Sequence, residues 1–272
     1  MPELPEVETT LRGIEPFILN KKISSVVIRQ SSLRWTVPTK LIQKKLLGKT
    51  FSNITRRGKY LLLESCNEHL IIHLGMSGSL RIAKEEDLKK HDHIDVCFVD
   101  GTILRYCDPR RFGCFLWTKD VETHFLLKDL GPEPLGNNFS GDYLFHNSRK
   151  RKVPIKNFIM NSKVVVGVGN IYATEALFAA AIRPSSKAGK VPRKKYDLLA
   201  KEIVTILRRS IKDGGTTLRD FVSGNNTPGY FKQSLKVYGR EGKECYECQT
   251  IIKGQRIGQR ASAYCPLCQS SF

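Results

Sequence analysis

Apolar positions along the chain change period. Val7, Leu11, Ile14 and Ile18 recur at steps of four, three and four, the spacing of one buried helical face. The helix they predict starts at Pro5, which fits the first helical position, with Glu6 and Glu8 near its positive end. Pro16 should kink or end it. Strand signals then dominate, as in Ile23–Ile28, Tyr60–Glu64, Leu70–Leu74 and Ile94–Val99. Asp100-Gly101 joins that last run to Thr102–Tyr106 as a hairpin. The first ~130 residues therefore predict a β-rich sandwich behind a leading helix.

The run Leu130-Gly131-Pro132-Glu133-Pro134-Leu135-Gly136 breaks this pattern and reads as a linker. Helical periodicity follows, over Asn170–Ala181 and Arg193–Lys212. The second helix puts Tyr196, Leu199, Ile203, Ile206 and Ser210 on one face, with Gly214 past its end. Ahead of Asn170 stands Val164-Val165-Val166-Gly167-Val168-Gly169. Glycines there would let backbone N–H groups approach a phosphate closely; a plain turn into the helix explains them equally well. The polar, breaker-rich stretch Thr216–Tyr230 reads as a loop that is mobile when free.

Charge sharpens this division. The 272 residues carry 45 Lys plus Arg against 26 Asp plus Glu, a net charge of +19. Residues 1–133 hold only +4 of it, and residues 134–272 hold +15. A basic half of that size wants a polyanion, and nucleic acid leads because neutralised phosphates release counterions. An anionic membrane surface fits less well, because the cations do not lie opposite one apolar helix face. No apolar run approaches the length of a membrane span, and the acidic N-terminus has no secretory core. A cytoplasmic location is expected.

Four of the eight cysteines form two C-x-x-C pairs, Cys245/Cys248 and Cys265/Cys268, separated by sixteen residues. This is the spacing of a tetrahedral structural zinc. Four thiolates leave no open position, so one zinc ion would fold the C-terminus without doing chemistry. Redox dithiols or disulfides fit two matched pairs without a secretory signal poorly. Ile251–Arg260, between the pairs, reads as a basic hairpin, either inserted into a DNA groove or simply solvated. Cys66, Cys97, Cys107 and Cys114 read as buried small apolar residues.

The start Met1-Pro2-Glu3 has its own chemistry. Removal of Met1 would leave Pro2 as a secondary amine with a pKa near 8, far more often neutral at physiological pH than a lysine. Such an amine can attack a sugar C1′ and form a Schiff base, with Glu3 placed to move protons. On these three residues alone, ordinary helix capping is the better explanation.

Joined together, the motifs resemble the bacterial formamidopyrimidine-DNA glycosylase family over essentially the whole chain. They run in order: PELPEVE at Pro2–Glu8, RRGKYLLL at Arg56–Leu63, HLGMSGSLR at His73–Arg81, KHDH at Lys90–His93 and DPRRFG at Asp108–Gly113. LGPEPL follows at Leu130–Leu135, then VVGVGNIYATE at Val165–Glu175, GGTTLRDF at Gly214–Phe221 and the four-cysteine finger. Gly58 and Thr174 look like mild variations.

The resemblance implies an α+β chain in three parts. These are an N-terminal β-sandwich with its leading helix (1–133), a helical helix-two-turn-helix domain (134–236) and a zinc-finger β-hairpin (237–272). It implies a monomeric base-excision glycosylase and abasic-site lyase acting on double-stranded DNA with oxidised purines or abasic sites, without redox cofactor or membrane. Pro2 would be the Schiff-base nucleophile and Glu3 the acid/base that opens the deoxyribose, with Glu6 in the same pocket. Lys59 would serve β-elimination and Arg260 δ-elimination. His91, Arg110, Lys152 and Asn170 match DNA contacts. Met76, Arg110 and Phe112 match the trio that fills the gap left by an everted base, where an apolar wedge offsets lost stacking. Thr216–Tyr230 would cap the lesion. Two rivals stay open on the sequence: the related endonuclease VIII-like enzyme for oxidised pyrimidines, and a non-enzymatic zinc-containing DNA-binding protein.

Overall fold

The structure is a computed structural model that describes residues 2–84, 87–215 and 234–272. The expected lesion-capping loop, Thr216–Tyr230, lies outside the described residues. Two compact units emerge, residues 2–128 with 214–215, and residues 129–213 with 234–272.

The first unit opens with helix α1 (Leu4–Ile18), whose buried face includes Val7, Leu11, Ile14 and Ile18, as the spacing predicts. Glu3 is the N-cap, so Pro5 falls at the second helical position rather than the first. Pro16 neither breaks nor immediately ends the helix. It sits in the last turn, and the chain closes two residues later with the Leu19 N–H donating to the Glu15 carbonyl at 3.0 Å. A proline there removes only one terminal hydrogen bond, and full burial of Ile18 compensates.

Eight strands follow, with helix α2 (Thr39–Leu46) packed among them. They are β1 (Ile23–Ile28), β2 (Asn53–Arg57), β3 (Tyr60–Ser65), β4 (Glu68–His73), β5 (Ser79–Ala83), β6 (Asp92–Phe98), β7 (Ile103–Cys107) and β8 (Cys114–Thr118). They form two four-stranded antiparallel sheets, ordered β1-β6-β7-β5 and β2-β3-β4-β8. Ile54, Leu61, Leu63, Leu70, Ile72 and Phe115 from one sheet share a core with Ile23, Leu80, Ile94, Val96, Leu104 and Tyr106 from the other. On β6 and β7 the cross-strand partners Asp95 and Arg105 form a buried two-pronged ion pair at 2.8 and 2.9 Å. The expected sandwich and its β6–β7 hairpin are present; β1 keeps its predicted limits, and the ends of the other predicted strands shift by no more than two residues.

The second unit holds α3 (Gly141–Ser148), α4 (Ile155–Met160), α5 (Asn170–Ala179) and α6 (Arg193–Lys212), then the hairpin β9 (Lys253–Ile257) and β10 (Arg260–Tyr264). α6 matches its predicted limits, and α5 stops two residues earlier than expected. On the inner face of α6, Leu207 is buried and Ile206 is not. Ile206 instead lines a cavity of about 260 Å³ with Phe178 and Thr205. Ser210 is buried because its hydroxyl meets the Tyr172 hydroxyl at 2.6 Å, tying α6 to α5.

Candidate active site and nucleic-acid contacts

Pro2, Glu3 and Glu6 lie together at the start of α1, and all three are buried. The two glutamates form a reciprocal capping box, with the Glu3 N–H donating to the Glu6 carboxylate at 2.9 Å. Gly215 closes over this turn with φ +82°, and a side chain there would come within 3.2 Å of the Glu6 carboxylate. Two carboxylates shielded from water beside the head of the chain form a site able to hold and transfer protons. The capping role and the acid/base role are compatible, because the cap is what fixes the carboxylates.

Lys59 lies in the two-residue turn between β2 and β3, where Arg57 pairs with Tyr60. Gly58 leads that turn with φ +58°, the conformation that matches hairpin twist and that side chains resist. Arg56 connects the turn to α1. Its guanidinium donates to Glu8 at 3.1 Å and to the Gly58 carbonyl at 2.8 Å. The sequence alone does not reveal this Glu8–Arg56 link, although both residues lie in motifs shared with the family.

His73, at the end of β4, was also without a role. Its Nδ1 accepts the Gly75 N–H at 3.0 Å, and its ring lies 4.7 Å from Tyr60. Burial, reinforced by the charges of Lys59 and Arg34, lowers its pKa to about 4. It is therefore neutral at physiological pH, and with Nδ1 accepting, its Nε2 carries the proton. Its place in HLGM, two residues before a glycine, was the available signal.

Met76 and Phe112 stand exposed, at 40% and 42%. Arg110 lies over the Phe112 ring at 4.7 Å. A concavity here is lined by Ser32, Leu33, Arg34, Arg110, Arg111 and Phe112. The structure thus brings the expected gap-filling residues onto adjoining loops with their side chains outward. His91, partly buried, precedes β6, and its carbonyl accepts the Asp108 N–H at 3.1 Å.

In the second unit, Asn170 begins α5 behind Gly169, at the positive end of the helix. Its Nδ2 donates to the Ala261 carbonyl at 3.3 Å, and its Oδ1 is buried with no partner among the described residues. Lys152 is exposed ahead of α4. Arg260 is exposed at the first position of β10, just past the turn Gly258-Gln259, where Gly258 has φ +59°. The hairpin is held from below by fully buried Lys156, whose Nζ donates to the Ala261 carbonyl at 3.1 Å and the Ser262 hydroxyl at 2.7 Å. Lys156 escaped the sequence reading because a buried lysine is indistinguishable there from its exposed neighbours.

The Sγ atoms of Cys245, Cys248, Cys265 and Cys268 all lie within 4.8 Å of one another. Three of the separations are 3.9, 3.4 and 3.4 Å. Thiolates about 2.3 Å from one tetrahedral ion would be about 3.8 Å apart, so the donor set and its spacing fit a metal ion. Cys245 and Cys265 also join a small core with Phe178, Val237, Ile252 and Ala263. Glu175 of α5 anchors the start of this finger by accepting the N–H groups of Lys236, Val237 and Tyr238 at 2.8, 3.0 and 2.8 Å.

Comparison with known proteins places these features together. Residues 1–115 match the formamidopyrimidine-DNA glycosylase N-terminal domain, and residues 130–222 match its H2TH domain. The chain is 56% identical over 271 residues to formamidopyrimidine-DNA glycosylase of Cellvibrio japonicus, covering 99% of this chain and 100% of that one. The protein of the same name from Saccharophagus degradans is 54% identical, with the same coverage. Among solved structures, the Lactococcus lactis enzyme bound to abasic-site DNA is 34% identical, with a TM-score of 0.91 over 99% of this chain and 100% of that one. A MutM complex with DNA containing carbocyclic 8-oxo-G has a TM-score of 0.90, at 34% identity and the same coverage. Matched from end to end, the chain belongs to the formamidopyrimidine-DNA glycosylase family.

Proposed function

We propose that this chain is a base-excision repair glycosylase that removes oxidised purines from duplex DNA and then cleaves the resulting abasic site. The observation that carries the chemistry is the pair of buried carboxylates, Glu3 and Glu6, locked beside Pro2 at the head of α1. Relatives over the full length carry the glycosylase name, and solved relatives hold DNA with abasic sites or Fapy-dG.

Once Met1 is removed, the Pro2 nitrogen attacks C1′ of the everted nucleotide. The C1′–base bond breaks, and the base leaves with the bonding electrons and takes up a proton. The C1′–O4′ bond opens as Glu3 protonates O4′, leaving an iminium between C1′ and Pro2. This acidifies C2′–H, and its loss expels the 3′ phosphate, with Lys59 donating in that step. Loss of the C4′ proton then expels the 5′ phosphate, assisted by Arg260. Water hydrolyses the remaining Schiff base and frees the enzyme. Met76, Arg110 and Phe112 fill the vacated stack, with Arg110 hydrogen-bonding the orphaned cytosine. His91 and Lys152 contact the DNA, and Asn170 holds a phosphate.

The four thiolates would hold one zinc ion, which supplies folding energy to the finger and no open coordination site. Residues 1–133, 134–236 and 237–272 then serve as catalytic, helical DNA-binding and finger parts. A monomer working in the cytoplasm suits this reading; among the described residues no helix is long and apolar enough to cross a membrane.

Borohydride trapping tests the central step. Intact protein with Met1 removed, verified by mass spectrometry of the first peptide, is expected to form a covalent adduct with duplex containing 8-oxoguanine opposite cytosine. Pro2→Gly should weaken or relocate that adduct. An adduct unaffected by Pro2→Gly, or faster excision of thymine glycol than of 8-oxoguanine, would overturn the assignment.

A further inference from the structure

We infer that Asp108 is a positioning residue that fastens the loop carrying Met76 to the loop carrying Arg110 and Phe112, so that the three side chains enter the duplex as one preorganised unit. The inference rests on the gap-filling reading of those three residues.

Asp108 is fully buried at the end of β7. One carboxylate oxygen accepts the Ser77 hydroxyl at 3.2 Å, reaching into the loop after β4. The other accepts the Gly113 N–H at 2.8 Å and the Tyr106 hydroxyl at 3.2 Å, on its own side. The Asp108 carbonyl accepts the Arg111 N–H at 3.1 Å and meets His93 Nε2 at 2.9 Å. Burial pushes the Tyr106 phenol well above its usual pKa, with the Asp108 charge adding to the effect, so Tyr106 stays a donor.

Backbone packing joins the same two loops. A side chain on Gly75, at φ +64°, would lie 2.6 Å from the Gly113 nitrogen and the Phe112 carbonyl carbon. A side chain on Gly113 would lie 1.9 Å from the Tyr106 hydroxyl. Arg111 is held at φ +55°, a conformation L-residues avoid. Burying a carboxylate is costly unless its hydrogen bonds are met. Here they are met by groups on both loops, so these hydrogen bonds enforce one relative geometry. Exposed side chains on a locked backbone are what a pre-shaped wedge requires.

The test compares Asp108→Ala, Asp108→Asn and Ser77→Ala in the full zinc-loaded protein. The readout is the ratio of excision rates for 8-oxoguanine opposite cytosine and opposite adenine. Trapping on a single-stranded abasic oligonucleotide, which has no orphan base, runs in parallel. Asp108→Ala is expected to lower the opposite-base ratio about tenfold and Ser77→Ala about fivefold, the scale of one or two lost hydrogen bonds. Asp108→Asn should restore it, because the amide oxygen still accepts from Gly113 and Tyr106 and the amide nitrogen donates to Ser77. Should Asp108→Ala fail to fold, Ser77→Ala decides, since it severs only the link between loops. A folded Ser77→Ala with the wild-type ratio overturns the positioning role. Absence of a wild-type adduct on abasic duplex as well as on the single strand would instead overturn the underlying lyase reading.

Discussion

At the scale of single residues, Glu3 carries two duties that a substitution can separate. Glutamine still accepts the helix N–H, so Glu3→Gln should keep thermal stability near wild type. It cannot give up a proton, and excision of 8-oxoguanine should fall at least ~100-fold, the usual loss with a missing general acid; single-turnover kinetics beside a melting curve check both. His73 makes a different prediction. Its pKa falls from 6.5 to about 4 on folding, through burial and then the charges of Lys59 and Arg34. The native state therefore binds fewer protons than the unfolded chain between those values. Its contribution is fully present above pH 6.5 and is lost as pH falls toward 4, by at most about 3 kcal/mol. Denaturant titrations at pH 7 and pH 4.5 should show that loss, and His73→Gln should flatten it.

At the scale of elements, the Glu8–Arg56 link joins α1 to the β2–β3 turn. Arg56→Ala should destabilise the first unit by about 1–2 kcal/mol, because it removes the charged bond to Glu8 and the bond to the Gly58 carbonyl while Arg12 still holds Glu8 at 2.9 Å. Urea unfolding measures this. Such links explain what the sequence revealed and what it hid. α1 and α6 were legible because each repeats apolar residues over several turns, and β1 because four of its six residues are β-branched. α3 and α4 were not: eight and six residues give too few repeats, and α3 begins with Gly141, a poor helix former. α3 is held by its Ser140 cap, whose hydroxyl accepts the Tyr143 N–H at 3.1 Å. In the candidate site, the glutamates and cysteines announced themselves by type and spacing. Asp108, His73 and Lys156 did not, since their roles depend on partners distant in sequence.

At the scale of the molecule, a charge of +19 makes salt the main control on DNA affinity. Lys152→Ala should weaken damaged and undamaged duplex alike and reduce the slope of log K against log salt by about one; fluorescence anisotropy across a salt series decides. If the four thiolates hold zinc as proposed, a chelator is expected to abolish DNA binding by unfolding the finger, while residues 2–128, which have their own core, keep their melting transition. Both hairpins that carry an implicated cation, Lys59 and Arg260, close through two residues led by a glycine at positive φ. Side chains alternate across a strand, so one amino acid added to or deleted from either apex would reverse which way everything beyond it points. Spacing at these tips is thus as strict a requirement as side-chain identity, and natural variants should exchange residues there without ever changing their number.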